Sequence, residues 1–288
     1  YAYQAATSEQ LCDALTEYSG IDMHGFFDTY VYSSGMPHLY AVIESVTEEE
    51  GQYEVKLRQS YQHIGDTHIG QNNRYEVTFI GTEFQLVTEM LNWDGLHGET
   101  TLILDFEPVG MISDMNNAWL DGKTQKSMWL RSMATQNYGN FRVEPVTRGD
   151  SVFVTVENHL VGPYDDPLIP YLTLSTKHFW TINRFDFGEA NLTGTFDFTN
   201  TSENDIIHSE NDSATLMYRR DASEAWHGIA YTMYPGSTWK HGRFIVENFL
   251  PGEYAIAVWD KEALGMEEFV APKKDIQIYP NPAKGQEI

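Results

Sequence analysis

Cysteine is almost missing from these 288 residues: Cys12 stands alone, which excludes an internal disulfide and a zinc cage built from thiolates. It lies beside Leu11 in a stretch of helical spacing with no basic residue near it in sequence, so a small buried apolar role is expected, not a reactive thiolate. Positive charge is scarce too. Only 18 Lys and Arg face 42 Asp and Glu, a formal net charge of −24. A phosphate backbone or an anionic membrane surface would be repelled, which removes nucleic acid as a partner. No stretch approaches the roughly 20 consecutive apolar residues of a membrane helix, so no transmembrane segment is expected. None of the ten histidines is followed by Glu, so H-E-x-x-H, which sets two imidazoles and a general base on one helical face, cannot occur. The nucleophile elbow G-x-S-x-G, the phosphate loop G-x-x-x-x-G-K and the dinucleotide motif G-x-G-x-x-G are absent as well. The chain opens Tyr1-Ala2-Tyr3 with neither initiator Met nor apolar leader, so any signal peptide is expected in a longer precursor.

What is present is apolar and aromatic material, 41% and 14% of the chain, enough for two cores. Thr7-Ser8-Glu9-Gln10 has the form of a capping box, and Leu11, Ala14, Leu15 and Tyr18 follow at helical spacing until Gly20. Met23, Phe26, Phe27, Tyr30 and Val31 repeat the pattern, with Gly35 and Pro37 as its expected stop and as a domain junction. Such bulky faces exceed what two short helices can hide, so they dock on the adjoining sandwich or have lost a partner; the second is the expectation. From Leu39 the period becomes two, clearest in Tyr53, Val55, Leu57, Gln59 and Tyr61, with a turn signal at Glu50-Gly51. Seven further strand candidates, from Val152–Val156 to Tyr254–Val258, have the count and spacing of an immunoglobulin-like sandwich. The expected fold is mainly β: a helical pair over 1–37, a β-sandwich over 38–110, and an immunoglobulin-like sandwich over 141–268. Residues 111–140 are expected to be an irregular or partly helical connector whose Trp119 and Trp129 pack at the junction, and 269–288 a linker with a closing turn.

Candidate chemistry is thin. His63, Asp66 and His68 flank a turn and could chelate, but solvated loop histidines are the commoner case. Asp165 and Asp166 in a proline-rich loop, and Glu203, Asn204, Asp205, Glu210, Asn211 and Asp212 in another, would suit calcium, yet neither matches the D-x-D-x-D-G spacing. Arg148-Gly149-Asp150 has an integrin-binding form but falls where a hairpin turn needs Gly and Asp. Asn191, Asn200 and Asn211 open glycosylation triplets that arise readily by chance. Trp180, Trp226, Trp239 and Trp259 could build a platform for sugars, although inward-facing sandwich tryptophans are more usual. No catalytic or metal residue is assigned.

Phe26-Phe27-Asp28-Thr29-Tyr30-Val31-Tyr32 through Gly35-Met36-Pro37 resembles the end of the catalytic domain in the aminopeptidase N family of zinc peptidases, with Tyr30 where that family usually has Trp. Phe106-Glu107-Pro108, Leu120 to Thr124, Val154 to His159 and Tyr218 to Trp226 look like the tail of secreted Bacteroidetes members. Tyr279-Pro280-Asn281-Pro282 is similar to the opening turn of a type IX sorting domain. The resemblance implies a secreted or cell-surface, non-catalytic C-terminal region. Its partners would be an upstream peptidase domain holding the zinc and the type IX export machinery; no cofactor is implied in this chain. An adhesin-like or carbohydrate-binding module is the alternative. Removal of everything after Pro272 is expected to leave both sandwiches nearly as stable, because Pro280 and Pro282 cannot lie in a central strand.

Overall fold

A computed structural model of the chain describes residues 5–66, 73–163, 169–199, 201–210 and 212–260. The fold is mainly β, antiparallel throughout, with a short helical start. It divides into two compact units between Asp121 and Gly122. The closing turn at Tyr279, Pro280, Asn281 and Pro282 lies outside the described residues.

In the first unit α1 spans Ser8–Ser19 and α2 spans His24–Tyr30. The capping box forms: the Thr7 hydroxyl accepts from the Gln10 backbone N–H at 3.2 Å, and Gln10 Oε1 accepts from the Thr7 N–H at 3.0 Å. Gly20 ends α1 at φ 71°, with its N–H on the Thr16 carbonyl. Six strands follow: β1 (Ser34–Glu49), β2 (Gln52–Asp66), β3 (Asn73–Gly81), β4 (Leu86–Trp93), β5 (His97–Leu104) and β6 (Pro108–Ser113). They form two three-stranded sheets, ordered β1-β2-β5 and β4-β3-β6. Glu50 and Gly51, at φ 53° and 84°, make the two-residue turn between β1 and β2, which needs two left-handed positions in succession. Leu39, Val55, Leu57, Tyr61, Tyr75, Val77, Phe79, Leu91 and Trp93 fill the space between the sheets.

Two expectations fail at the start of this unit. The helices stop at Tyr30, and Gly35 and Pro37 lie inside β1, opposite Gly65 and His63. An edge strand such as β1 tolerates proline better than a central one, because only one of its sides carries ladder bonds. The expectation that both helical faces lack a partner fails for α2 only, and the face that periodicity picks out on α1 stays open. Cys12 is 2% exposed, whereas Leu11, Leu15 and Tyr18 are 52%, 38% and 92% exposed. α2 does dock: Phe27 is buried, and Tyr30 meets the edge of Trp119, which also meets Tyr75.

The second unit contains β7 (Lys123–Leu130), β8 (Gln136–Tyr138), β9 (Phe141–Thr147), β10 (Ser151–His159), β11 (Leu172–Leu174) and β12 (Phe179–Phe187). It continues with β13 (Asn191–Thr199), β14 (Ser213–Arg219), β15 (His227–Gly228), β16 (Thr232–Pro235), β17 (His241–Glu247) and β18 (Gly252–Trp259). One sheet runs β15-β14-β18-β12-β10-β7, with β11 also on β18; the facing sheet runs β16-β17-β13-β9-β8. Val154, Val156, Trp180, Phe196, Phe244, Tyr254 and Ile256 are among the side chains sealed between them. Phe196 stacks on Tyr254 at 4.5 Å and meets Trp180 edge-on at 5.3 Å. The Tyr254 hydroxyl donates back to the Leu250 carbonyl at 2.7 Å, a corner bond of the kind immunoglobulin-like sandwiches use.

The stretch 111–140 is not an irregular or helical connector. It completes β6 and supplies β7 and β8, and the unit boundary falls within it. β7 escapes a periodicity reading because it is an edge strand, apolar and sealed only at Met128 and Leu130, with Lys123, Gln125 and Lys126 in its first half. Trp119 packs inside the first unit, and Trp129 packs on Phe153 and Phe187 inside the second.

Candidate functional site

The densest ionisable constellation lies on the outward side of the large sheet of the second unit. Along β10, Val152, Val154 and Val156 point into the sandwich, so Phe153, Thr155, Glu157 and His159 project from the opposite side. Strand register then lines up one polar row across five strands: Gln125 opposite Glu157, Glu157 opposite Thr181, Thr181 opposite Glu253, and Glu253 opposite Arg219. Lys123 and Phe179 flank His159 in the adjoining row. A second apolar cluster on this side, including Phe179, Met217, Trp226, Ala255 and Ala257, continues beyond the charges.

Charge in this row is sealed and matched. Lys123, Glu157, His159, Arg219 and Glu253 are all between 0% and 8% exposed. Glu157 Oε2 lies 3.3 Å from Lys123 Nζ and 3.4 Å from His159 Nε2. That imidazole nitrogen also lies 3.0 Å from Thr181 Oγ1, and its ring stacks on Phe179 at 3.8 Å. Arg219 Nε donates to Glu253 Oε2 at 2.6 Å while the guanidinium covers the Trp226 ring at 4.5 Å. Burial pushes the Glu157 carboxyl up, but Lys123 and His159 more than reverse this and hold it down at about 2. A carboxylate so held is ionised at any ordinary pH and has no proton to give. Chemically the row is a lock between strands, not an acid or base poised to react.

The other buried glutamate, Glu203, is also sealed from water. His178 Nδ1 stands 3.2 Å from Glu203 Oε1, and His178 Nε2 lies 2.6 Å from Asn158 Oδ1. Glu203 Oε2 accepts from the Thr199 N–H at 2.8 Å and from the Ser202 hydroxyl. Its acidic neighbours staple loops. Asp205 accepts from the Thr176 N–H and hydroxyl, and Asp212 from the Ser209 N–H at 2.8 Å. Among the described residues no group of three or more His, Cys, Asp or Glu side chains is placed to hold a metal ion. His63 Nδ1 meets the Gly65 carbonyl at 3.0 Å; His68, Asp165 and Asp166 lie outside the described residues.

The remaining sequence candidates separate. Arg148-Gly149-Asp150 forms the turn between β9 and β10, and Arg148 Nη1 donates to the Asp150 carbonyl at 2.7 Å, which folds the guanidinium back onto the loop. Asn191 is exposed at the start of β13; Asn200 and Asn211 lie outside the described residues. The four tryptophans do not share a platform: Trp180 and Trp226 are buried and Trp259 is half-buried against the outward apolar cluster. Trp239 alone is open, at 38% exposure, beside a depression of about 570 Å³ lined by Met233, Pro235, His241, Glu210 and Asp212, with Lys240 Nζ 5.8 Å from its ring centre.

Sequence reasoning missed the polar row. The local signal was present in Val154-Thr155-Val156-Glu157-Asn158-His159, where polar residues alternate with valines, but the partners lie on β7, β12, β14 and β18 and only register brings them together. No family model, curated protein or solved structure matches the chain.

Proposed function

We propose that this chain is a non-catalytic accessory region of a secreted or cell-surface zinc aminopeptidase, in which two β-sandwich units support a peptidase domain that carries the metal and the chemistry. One observation carries the reading. Among the described residues of the second unit, the buried carboxylates Glu157, Glu203 and Glu253 are each held by a cationic or imidazole partner inside the protein, so none is left to act on a substrate. The similarity of Phe26 to Pro37 to the end of an aminopeptidase N catalytic domain is what supports the choice of family. That of Tyr279 to Pro282 to a type IX sorting turn supplies the export route. The test is direct: the 288-residue chain, incubated with fluorogenic aminoacyl substrates and added zinc, is expected to release no fluorophore above buffer. Metal-dependent turnover would overturn the reading.

A further inference from the structure

The depression of about 570 Å³ beside Trp239 lies where the segment joining β13 to β14 meets the hairpin of β16 and β17, within the second unit. Its size falls inside the roughly 300–1,000 Å³ of small-molecule sites. Its floor is apolar: Phe198 and Ile207 are buried there, and Ala214 and Met233 are half-buried. Its walls are polar and exposed, with Glu210 from the joining segment and Ser237, Thr238, Trp239 and His241 from the hairpin. The hairpin fixes its own shape. The Gly236 N–H donates to the His241 carbonyl at 2.9 Å, and the His241 N–H to the Thr238 carbonyl at 3.4 Å. A Cβ on Gly236 would collide with the His241 ring, so glycine is what lets that imidazole lie against the turn, 3.3 Å from the Ser237 hydroxyl. Two wall groups are unspent: neither the Glu210 carboxylate nor the Thr238 hydroxyl has a hydrogen-bond partner among the described residues.

The chemistry of these walls excludes most classes of ligand. An anion would meet Glu210 and Asp212 on a chain of net charge −24. An organic cation seeking the face of Trp239 would meet like charge, because Lys240 already holds its ammonium 5.8 Å from the ring centre. A wholly apolar ligand would bury the Glu210 carboxylate without a partner. An extended peptide pairs through its backbone, and the Gly236 and His241 N–H groups are already spent within the hairpin. What suits ring, carboxylate, hydroxyls and imidazole together is a neutral molecule with an apolar ring face and hydroxyls around its rim, since Glu210 accepts hydrogen bonds and Thr238 both gives and accepts them. We propose that this depression binds an uncharged carbohydrate, with the C–H face of a sugar on Trp239 and its hydroxyls on Glu210, Thr238 and the Ser237–His241 pair. The site lies wholly on the second unit and does not depend on the accessory reading.

The readout is the set of seven indole N–H signals in a proton–nitrogen correlation spectrum of the full chain, with that of Trp239 identified by Trp239→Phe. The probes are cellotetraose, maltotetraose, xylotetraose and mannotetraose, with tetragalacturonate as the acidic control and choline as the cationic one. At least one neutral tetrasaccharide is expected to shift the Trp239 signal with a Kd of about 1 mM or below, an affinity that suits an open site. Trp239→Ala should weaken that binding by more than about tenfold in calorimetry. Because Trp239 also buries part of its ring, a second variant guards against misfolding. Ser237→Ala/Thr238→Ala keeps the ring and the melting temperature and should weaken binding by about threefold to tenfold. Salt of about 1 M should leave the sugar bound, since no charge pair forms. Failure of all the neutral sugars to move the Trp239 signal would overturn the proposal, as would binding that survives Trp239→Ala. A shift of that signal by choline or tetragalacturonate in preference to the sugars would overturn it by naming a charged ligand. Each failure is distinguishable: turnover of aminoacyl substrates removes the accessory reading and leaves the sugar result standing, while absence of sugar binding does the reverse.

Discussion

The helix pair of the first unit and the large sheet of the second invert the usual placement of side chains in opposite directions. On α1 leucines and a tyrosine face water, and on β10 a glutamate and a histidine are sealed from it. The helix leaves its inversion open, with three apolar side chains and no cover among the described residues of its own unit. The sheet closes its inversion with partners drawn from four neighbouring strands. An exposed apolar side chain costs a folded chain little, so α1 can wait for a partner. A buried charge cannot wait: it must be matched at once or the fold fails. The sharpest way to break this contrast is Lys123→Met. It removes the counter-ion of Glu157 inside a sealed row and should lower unfolding stability by about 3–5 kcal/mol, whereas Lys123→Met/Glu157→Leu should recover most of the loss. Urea unfolding of the two variants checks this; a single variant as stable as wild type would show that the row is not a lock.

Acid probes the same row without mutation, and the effect is somewhat smaller. Glu157 is held at about 2 in the fold against an ordinary value of 4.5. Its folded pKa is depressed, so its contribution is fully present above pH 4.5 and is lost as the pH falls from there toward 2. At 1.36 kcal/mol per unit the difference is about 3 kcal/mol. Melting temperature is therefore expected to fall steeply between pH 4.5 and 2 in wild type. The acid-dependent step should be reduced in Lys123→Met/Glu157→Leu, and an unchanged pH profile there would assign the acid sensitivity to other carboxylates.

Periodicity and turn chemistry made much of the architecture legible. Glu50-Gly51 announced the first hairpin, Thr7 and Gln10 announced α1, and all seven strand candidates from Val152 to Val258 correspond to strands. Edges and partners were not legible. β7 carries lysines where a core strand would carry valines, and β15 and β16 are too short for any period to emerge. Periodicity found the amphipathic stripe of α1 but could not say whether it faces inward, because that depends on what packs against it. The polar row was hidden for the corresponding reason, since its residues meet only through register. Gln59 shows the limit from the other side. The alternation correctly places it inward with Val55, Leu57 and Tyr61, but it is 0% exposed, and neither amide atom meets a protein partner. Gln125, at the end of the polar row of the second unit, is alike: neither of its amide atoms meets a protein partner, so an unmatched buried amide occurs in both units. Gln59→Leu is expected to raise stability by about 1–2 kcal/mol by removing that desolvation cost, measured by the urea midpoint. A loss of similar size would mean that bound water satisfies the amide.

The smallest expected effect tests whether electrostatics has any hold on the exposed helix pair. His24 Nδ1 lies 2.6 Å from Asp22 Oδ1 and His24 Nε2 lies 3.5 Å from Asp13 Oδ1, so one imidazole ties α2 to the connection and to α1. The hydrogen bond to Asp22, then its charge, raise the His24 pKa above its ordinary 6.5, with Asp13 and Asp28 adding to the same side. Because the folded pKa is raised, the stabilisation is fully present below pH 6.5 and is lost as the pH rises through the folded value. All of these groups stand in water, so the effect should be local and screened by salt. Amide exchange at Met23, His24 and the first turn of α2 is expected to quicken relative to the sandwich amides when the pH rises from about 6 to about 8.5, after correction for intrinsic exchange. His24→Gln should abolish that excess while leaving the melting temperature of the whole chain unchanged, and salt of about 1 M should mimic the substitution because it shortens the Debye length to roughly 3 Å. The same excess persisting in His24→Gln would place the pH response elsewhere and leave α1 and α2 held together by packing and by the hydrogen bond from the Met23 N–H to Thr16 Oγ1 at 3.1 Å.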